Sequence, residues 1–373
     1  MSGETRTGTR TRTGGAQTGS GVGSESATRT VGARLTAWAE LFRVSALFTV
    51  PGDALAGAAA AGLRPNRRTL LAIGSSLCLY EAGMALNDWA DRAEDAVDRP
   101  HRPIPSGRIS PHAALAASAA LTAAGLGLAA RAGRPALGVA TALAATVWSY
   151  DLHGKHTPAG PAAMATARAL DLLLGATATG GGSPSPRPLP SAALLAAHTY
   201  AVTAVSRHEA HGGSTRAPLL ALATTLAVAA AAGARPPGAT GAASILAVSH
   251  ARRSARGSTE RAAHRRRGPA DGPTGSPLGA PPRGSGARTA TTVGPLLTTT
   301  LAAAYARTPA TPLLHATLNP SPPLTQRSVG AGIRALIPLQ ATLAARAGAP
   351  VTALALLGLA PLARALARKV SPT

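Results

Sequence analysis

The stretch that decides the fold is Asn87-Asp88-Trp89-Ala90-Asp91-Arg92-Ala93-Glu94-Asp95-Ala96-Val97-Asp98-Arg99-Pro100. It contains five of the 15 acidic residues in the chain. Its four aspartates are spaced 3, 4 and 3 residues apart, so at about 100° per residue they share one narrow face of a helix. Glu81 lies one heptad before Asp88 and falls on the same face. The spacing therefore predicts a carboxylate-lined site at the end of a helix.

Carboxylates this close together predict a bound cation, because like charges on one face repel each other unless something neutralises them. Hard oxygen ligands suit Mg²⁺, which keeps several waters and shares its coordination shell with substrate phosphates. Arg99, Arg102 and Arg108 follow closely and are candidates to bind phosphate oxygens that the metal does not reach. The alternative is a solvated acidic helix end beside arginines.

The segments around this stretch are apolar, and several approach the ~20 residues that cross a bilayer. Only 14% of the chain is charged, against about 25% in a typical soluble domain. Segments 112–130 and 217–234 are apolar around the whole helix, which argues against a soluble alanine-rich bundle. We therefore predict an all-α, multi-pass transmembrane bundle of about nine helices around a central polar cavity. The candidate spans are 44–63, 69–87, 112–130, 135–150, 160–178, 191–206, 217–234, 239–251, 291–306, 329–346 and 350–367.

The charge distribution predicts how the chain is organised and oriented. The net charge is +22, and the arginines lie between apolar segments instead of on one basic face, so no nucleic-acid partner is expected. The positive-inside rule predicts an inner (plasma) membrane protein with its active-site loops in the cytoplasm. The predicted divisions are a disordered tail at 1–35, a first transmembrane part at 36–251, a disordered basic insertion at 252–290 and a last transmembrane part at 291–373.

At this point the chain resembles a known family. The pattern Asn87-Asp88-x-x-Asp91-x-x-x-Asp95, followed by Arg99-Pro100, Arg102-Pro103-Ile104-Pro105 and Ser106-Gly107, resembles the first signature of the UbiA superfamily of intramembrane prenyltransferases. The resemblance implies that Asn87, Asp88, Asp91 and Asp95 bind the Mg²⁺–diphosphate of an isoprenoid donor, with Arg102 in the same loop. Residues 199–213 and 319–327 are similar to the EboC-like actinobacterial branch of that superfamily.

The loop after the predicted fourth span supplies the next candidates. Tyr150 with Lys155 is similar to the Tyr-x-x-x-Lys element of the family, with the lysine displaced by one position. Many members carry Asp-x-x-x-Asp in this loop, whereas Asp151 here has a lysine four residues on. A second metal ion is therefore less well supported than the first. Lys155 is expected to act as a point charge on the diphosphate.

Further candidates lie along the apolar segments. Arg43 is a candidate to bind substrate, and Asp53 after Pro51-Gly52 is either a satisfied residue at a helix kink or a group that points into the cavity. Arg168 and Asp171 lie three residues apart within a predicted span, where ionisable groups are costly and usually face the bundle interior. They form either a structural ion pair or part of the site, with Asp171 as a possible second metal ligand.

The third polar loop is expected to line the same cavity, with Tyr200 and Arg207 as substrate-binding candidates. The function implied is Mg²⁺-dependent transfer of a prenyl group from an isoprenoid diphosphate to a small-molecule or lipid acceptor, among membrane lipids. Asp88, Asp91, Asp95 and Lys155 would carry the catalysis. Two alternatives stay open, namely a membrane terpene cyclase on the same scaffold and a non-catalytic membrane transporter or scaffold.

Overall fold

The computed structural model describes residues 32–181, 185–210, 212–234 and 286–370. Within these ranges the regular elements are helical, which confirms the predicted all-α class. A 3₁₀ segment over Val44–Thr49 and a π-helical turn over Tyr150–Gly154 interrupt the series. The helices are α1 (32–41), α2 (Val50–Ala60), α3 (Arg67–Ala90), α4 (Arg92–Asp98), α5 (Pro111–Ala132), α6 (Arg134–Ser149), α7 (Gly160–Thr179), α8 (Leu189–Ser206), α9 (Arg216–Gly233), α10 (Gly286–Leu318), α11 (Pro322–Arg346) and α12 (Pro350–Val370).

Four of the described helices are long and apolar enough to cross a membrane by length and composition, namely α3, α5, α9 and α11. The apolar segments over Leu47–Ala60 and Pro350–Leu359 are shorter. The helices pack as a multi-pass bundle in which α3 lies against α5, α2 against α7, and α11 against α10 and α12. This arrangement is that of a membrane protein.

Two helices extend beyond the predicted divisions. Residues 32–35 belong to helix α1 and not to a disordered tail. Residues 286–290 belong to α10, which continues through the predicted span at 291–306 as far as Leu318. The candidate span at 239–251, the rest of the basic insertion and residues 1–31 lie outside the described part of the chain.

Proline begins helices here more often than it bends them. Pro51 occupies one of the first two positions of α2, so the Pro51-Gly52 pair starts this helix instead of kinking it as the sequence suggested. Proline is tolerated there because the first amides of a helix have no partner within the helix. Helix α3 begins with a polar cap instead, since Asn66 accepts hydrogen bonds from the first turn of α3 and forms a capping box with Thr69.

Small residues bring the helices into close contact behind the cavity described below. A Cβ atom placed on Gly57 of α2 would lie 2.0 Å from the carbonyl oxygen of Leu172, and one on Gly175 of α7 would lie 2.3 Å from the Cα atom of Ala54. These backbones therefore touch directly, as small residues allow in membrane helix pairs. The contact leaves no passage between α2 and α7.

We expect Gly175→Ala to destabilise the bundle by about 1–3 kcal/mol, because the added methyl group forces α2 and α7 apart. The measurement is the thermal unfolding midpoint of the purified protein in detergent. Gly138→Ala in α6 is the matched control, since a Cβ atom there meets nothing within 4 Å and alanine favours the helix. Equal midpoints for the two variants would contradict the close contact.

Candidate active site

The acidic stretch does not form the single helix that its spacing suggested. Helix α3 ends at Ala90, Asp91 has φ −84° and ψ 1°, and α4 begins at Arg92. Asp88 and Asp95 nevertheless point inward, with 4% and 2% of their surface exposed. Asp98 is exposed at the end of α4, so three of the four aspartates share the inner face.

Arg102 joins the two buried aspartates. Its Nη1 atom lies 2.7 Å from Oδ2 of Asp95 and 3.3 Å from Oδ1 of Asp88. Arg43 donates to the same oxygen of Asp88 at 3.2 Å, and Arg99 lies 3.5 Å from Oδ1 of Asp95. The charge repulsion expected from the sequence is therefore relieved by the protein's own arginines. These arginines hold the carboxylates of α3 and α4 around one small space.

Asp91 is paired from the next polar loop. Lys155 forms an ion pair with its Oδ1 atom, and the Nε2 atom of His156 lies 3.9 Å from the same oxygen and 3.9 Å from Glu94. The π-helical turn over Tyr150–Gly154 adds one residue to the end of α6 and thereby shifts Lys155 relative to Tyr150. Lys155, which is displaced by one position in the sequence, therefore reaches the aspartate cluster.

Asp151 binds the same cluster from the side of the π-helical turn. The Nδ2 atom of Asn87 donates to its Oδ1 atom at 3.2 Å, and the carboxyl is 4% exposed. Burial raises the pKa of Asp151 to about 7, although the hydrogen bond from Asn87 and the charge of Lys155 act in the opposite direction. Burial also raises the pKa of Tyr150, and Asp151 and Asp91 raise it further.

A cavity of about 480 Å³ opens beside these groups. Its mouth is lined by Arg43, Asn87, Tyr150, Asp151, Ser206 and Glu209, at the ends of α3, α6 and α8. Its walls are mainly apolar and include Leu79, Leu143, Val147, Met164, Val202 and Ile333. An apolar chamber with a polar mouth fits a ligand that has a charged head and a hydrocarbon tail.

The inner end of the cavity is a second polar layer, which we call the floor. The floor consists of Thr49, Ser76, Arg168, Asp171 and His198. Eleven residues of α3 separate Ser76 from Asn87, so the floor lies about 16 Å below the mouth at 1.5 Å per residue. The predicted central polar cavity is therefore present, with polar groups concentrated at its two ends.

The floor contains the candidates Arg168 and Asp171 but keeps them away from the aspartate cluster. Ser76 donates a hydrogen bond to Asp171, and Arg168 pairs with Asp53. Gln340 donates to the other oxygen of Asp53 at 2.7 Å. Asp53 is therefore a buried carboxylate with a partner on each of its two oxygens, in agreement with the first of the two readings given for it above. At about 16 Å from the mouth, Asp171 is too distant to share a metal ion with a diphosphate bound there, so the structure does not bring it together with the aspartate cluster.

Two candidates from the third polar loop lie outside the cavity lining. Tyr200 is 48% exposed and does not line the cavity, so the structure does not bring it together with the other candidate substrate-binding residues. Arg207 is exposed and donates to the carbonyl oxygen of Thr157. Arg207 therefore ties the end of α8 to the loop that carries Lys155, and does not line the cavity.

Glu209 is a mouth residue that sequence reasoning did not single out. It lines the cavity, and burial raises its pKa against the opposing charge of Arg99. A signal was present, because Glu209 is the acidic residue of a polar loop at the same end of the bundle as the aspartate stretch. The loop itself was expected to line the cavity, and the fold shows that Glu209 is one of the residues through which it does so.

The carboxylates at the mouth fit a hard divalent cation by donor type. Asp88 and Asp95 flank a single guanidinium nitrogen of Arg102, so their oxygens converge. Asp91, Glu94 and His156 each place one ligand atom within 4.8 Å of the others. Mg²⁺ takes oxygen ligands, so the aspartates are the part of this set that suits it.

Comparisons with known proteins agree with this geometry. The chain is 36% identical over 115 residues to digeranylgeranylglyceryl phosphate synthase of Methanopyrus kandleri, a match that covers 31% of the chain and 41% of that relative. It is 48% identical over 56 residues to chloroplastic chlorophyll synthase of Oryza sativa subsp. japonica, which covers 15% of each protein. The chain thus spans less than half the length of these curated relatives.

The fold is also similar to that of a solved digeranylgeranylglyceryl phosphate synthase, with a TM-score of 0.52 at 16% identity over 85% of this chain and 99% of that one. The model of the UbiA prenyltransferase family matches residues 45–253. This range holds the aspartate cluster, the loop with Lys155, the floor residues and Glu209. The chain belongs to the UbiA prenyltransferase family.

Proposed function

We propose that this protein transfers a prenyl group from an isoprenoid diphosphate to an acceptor within the membrane, in a reaction that depends on Mg²⁺. The observation that carries the proposal is the cluster of three aspartates, paired with arginines and a lysine, next to an apolar cavity. Arg43, which pairs with Asp88, and Asn87, which precedes it, line the mouth of that cavity. Membership of the UbiA prenyltransferase family supports it. The relatives are named as synthases of different products, so family membership leaves the acceptor open.

The residues beside the mouth would have different roles in binding the diphosphate. Asp88, Asp91 and Asp95 would hold Mg²⁺, which when bound supplies positive charge to the leaving diphosphate. Arg102 and Lys155, which now pair with these carboxylates, would turn to phosphate oxygens. Because Mg²⁺ would then neutralise the aspartates, no carboxylate would be left without a positively charged partner when Arg102 and Lys155 turn to the phosphate.

The remaining mouth residues would orient the donor and admit the acceptor. Asn87 and Arg43 line the opening and can donate hydrogen bonds to the diphosphate, while Tyr150 and Asp151 lie opposite. The apolar walls would exclude water from the carbon that loses its diphosphate. We further propose that these loops face the cytoplasm from the inner membrane, and that the chain falls in the EboC-like actinobacterial branch.

Two other functions use the same features differently. A terpene cyclase would ionise the donor but form no bond to an external acceptor. A transporter or scaffold would have no use for a metal-bound diphosphate. Incubating the purified protein with labelled farnesyl diphosphate, with and without lipid extract from its host, separates the three by whether the label is joined to an acceptor, cyclised or unchanged.

We expect Asp88→Asn and Asp91→Asn each to lower Mg²⁺-dependent turnover of labelled farnesyl diphosphate by at least about a hundredfold, because a metal ligand is lost. Asp98→Asn is the matched control, since Asp98 belongs to the same stretch but is exposed. Its turnover should stay within about twofold of the wild type. Turnover retained in both cluster variants would show that the site lies elsewhere.

Deleting residues 255–287 should leave turnover nearly unchanged, because the aspartate cluster, Lys155 and Glu209 all precede this segment. The measurement is the same turnover assay, together with the thermal unfolding midpoint to confirm that the shortened protein is folded. A folded deletion variant without turnover would mean that the segment contributes to the site.

A further inference from the structure

Four arginines lie at the end of the bundle opposite the mouth, and we call them the arginine cluster. Arg67 and Arg68 begin α3, Arg64 precedes them in the α2–α3 turn, and Arg187 lies in the α7–α8 loop. All four are exposed. Twenty residues of α3 separate Arg68 from Asp88, which is about 30 Å at 1.5 Å per residue. Since the hydrocarbon core of a bilayer is about 30 Å thick, the cluster lies at the other membrane surface.

The α2–α3 turn and the end of α7 are fixed against each other. The Nδ2 atom of Asn66 donates to the carbonyl oxygen of Thr179 at 3.1 Å. The hydroxyl oxygens of Thr69 and Thr179 lie 2.8 Å apart, and both threonines are buried. These contacts form a seam between the two loops, so the fold determines where the arginines of each loop begin.

Two of the arginines cross this seam in opposite directions. A Cβ atom on Gly62, in the α2–α3 turn, would lie 3.4 Å from the Nη1 atom of Arg187. A Cβ atom on Gly181, just after α7, would overlap with the Nη1 atom of Arg68. The φ angles of these glycines are 75° and 68°, a conformation that glycine adopts without steric cost. Each loop therefore turns at a glycine that leaves room for the guanidinium of the other loop.

No carboxylate balances the arginine cluster within the described part of the chain. None of its four members takes part in the ion pairs of the described residues, and residues 61–69 and 179–190 contain no aspartate or glutamate. Like charges held side by side repel each other unless an anion lies between them. Because a guanidinium can donate two parallel hydrogen bonds to phosphate oxygens, phosphate is the anion that fits.

Exposed leucines flank these arginines. Leu63 lies in the α2–α3 turn, Leu70 in the first turn of α3, and Leu189 at the start of α8, and all three are exposed. Arginines beside exposed apolar side chains suit the boundary between lipid headgroups and acyl chains, where the charged head and the hydrocarbon each meet a matching environment. The leucines therefore favour a phosphate that carries hydrocarbon chains.

We propose that the arginine cluster binds the phosphate of an anionic phospholipid in the leaflet opposite the mouth, with the acyl chains against Leu63, Leu70 and Leu189. Basic sites between membrane helices bind anionic headgroups by the same attraction. A bound lipid would join the turn after α2 to the loop after α7, and would thereby hold the close contact between these two helices. This inference does not rest on the proposed function, because the site lies about 30 Å from the aspartate cluster.

The test compares dioleoylphosphatidylglycerol with dioleoylphosphatidylcholine, which share their acyl chains and a phosphate but differ in net charge. Full-length protein in dodecyl maltoside is mixed with either lipid at the same mole fraction, and the thermal unfolding midpoint is measured. With the anionic lipid about a hundredfold above its Kd, we expect the midpoint to rise about 5 °C more than with the zwitterionic lipid. The reason is that a ligand of the folded state stabilises that state.

The double variant Arg68→Gln/Arg187→Gln should keep about a third of this difference, because each lost arginine weakens lipid binding about fivefold. Each single variant should keep about two-thirds. Without lipid, the midpoints of all three variants should stay within about 2 °C of the wild type, since substitutions of exposed residues change stability little.

The matched control is Arg131→Gln/Arg134→Gln. These arginines flank the α5–α6 turn at the same end of the bundle, where Ala132 and Ala136 pack in one cluster with Ala72. They are exposed and take no part in the ion pairs of the described residues. This variant removes the same charge without changing the seam, so it should keep the full difference between the two lipids.

Two outcomes would overturn the proposal. An equal loss in the two double variants would mean that the general positive charge of this end attracts the lipid. A full difference in Arg68→Gln/Arg187→Gln would mean that no lipid binds at the cluster. The mouth is unchanged in every variant, so an anion bound there adds the same shift throughout.

A third measurement uses sn-glycerol 3-phosphate, which carries the phosphate without acyl chains. At the same concentration it should leave the midpoint nearly unchanged, because the leucines gain no partner. A rise that matches that of the anionic lipid and is lost in Arg68→Gln/Arg187→Gln would assign the cluster to a water-soluble phosphate, against the proposal of a lipid.

Discussion

The structure depends on the positively charged side chains that neutralise its carboxylates at the edge of the bilayer. Asp88 and Asp95 are almost fully buried, and a buried charge is tolerated only with a partner. Arg102 supplies that partner to both at once, and so fixes the loop after α4 against the end of α3. Lys155 does the same for Asp91 from the loop after α6. The ion pairs therefore also determine which loops meet at the mouth.

Helix period and hydropathy predicted the bundle and the inward face of the aspartates, because both are local properties of the chain. The partners of those aspartates were not predictable in the same way. Arg102 was expected to bind phosphate, and in the structure it donates to Asp88 and Asp95. Which cation reaches which carboxylate depends on loop paths, and a π-helical turn at Tyr150–Gly154 changes those paths by a single residue.

The dependence on tertiary structure also explains why some candidate residues lie elsewhere than the sequence suggested. Tyr200 belongs to a helix that lines the cavity, but its own side chain faces outward. Thr199 and Val202 of α8 face the cavity instead. On an alanine-rich helix that is apolar all round, the sequence gives little contrast to choose the inner face. Asp171 was correctly placed inside the bundle, but its depth relative to the aspartate cluster followed only from its hydrogen bond with Ser76 on α3.

The two polar layers of the cavity have different physical requirements. Beside the mouth, each of the three aspartates contacts at least one of Arg43, Arg99, Arg102 and Lys155, and a metal ion on these carboxylates would free the cations for an anionic diphosphate. In the floor, Asp53 and Asp171 interact with each other and with the one guanidinium of Arg168, so these buried polar groups are partners of one another. Because the walls between the layers are apolar, neither layer can screen the other. A ligand that fits this cavity must present its negative charge beside the mouth and its hydrocarbon to the apolar walls, which is the polarity expected of a prenyl diphosphate.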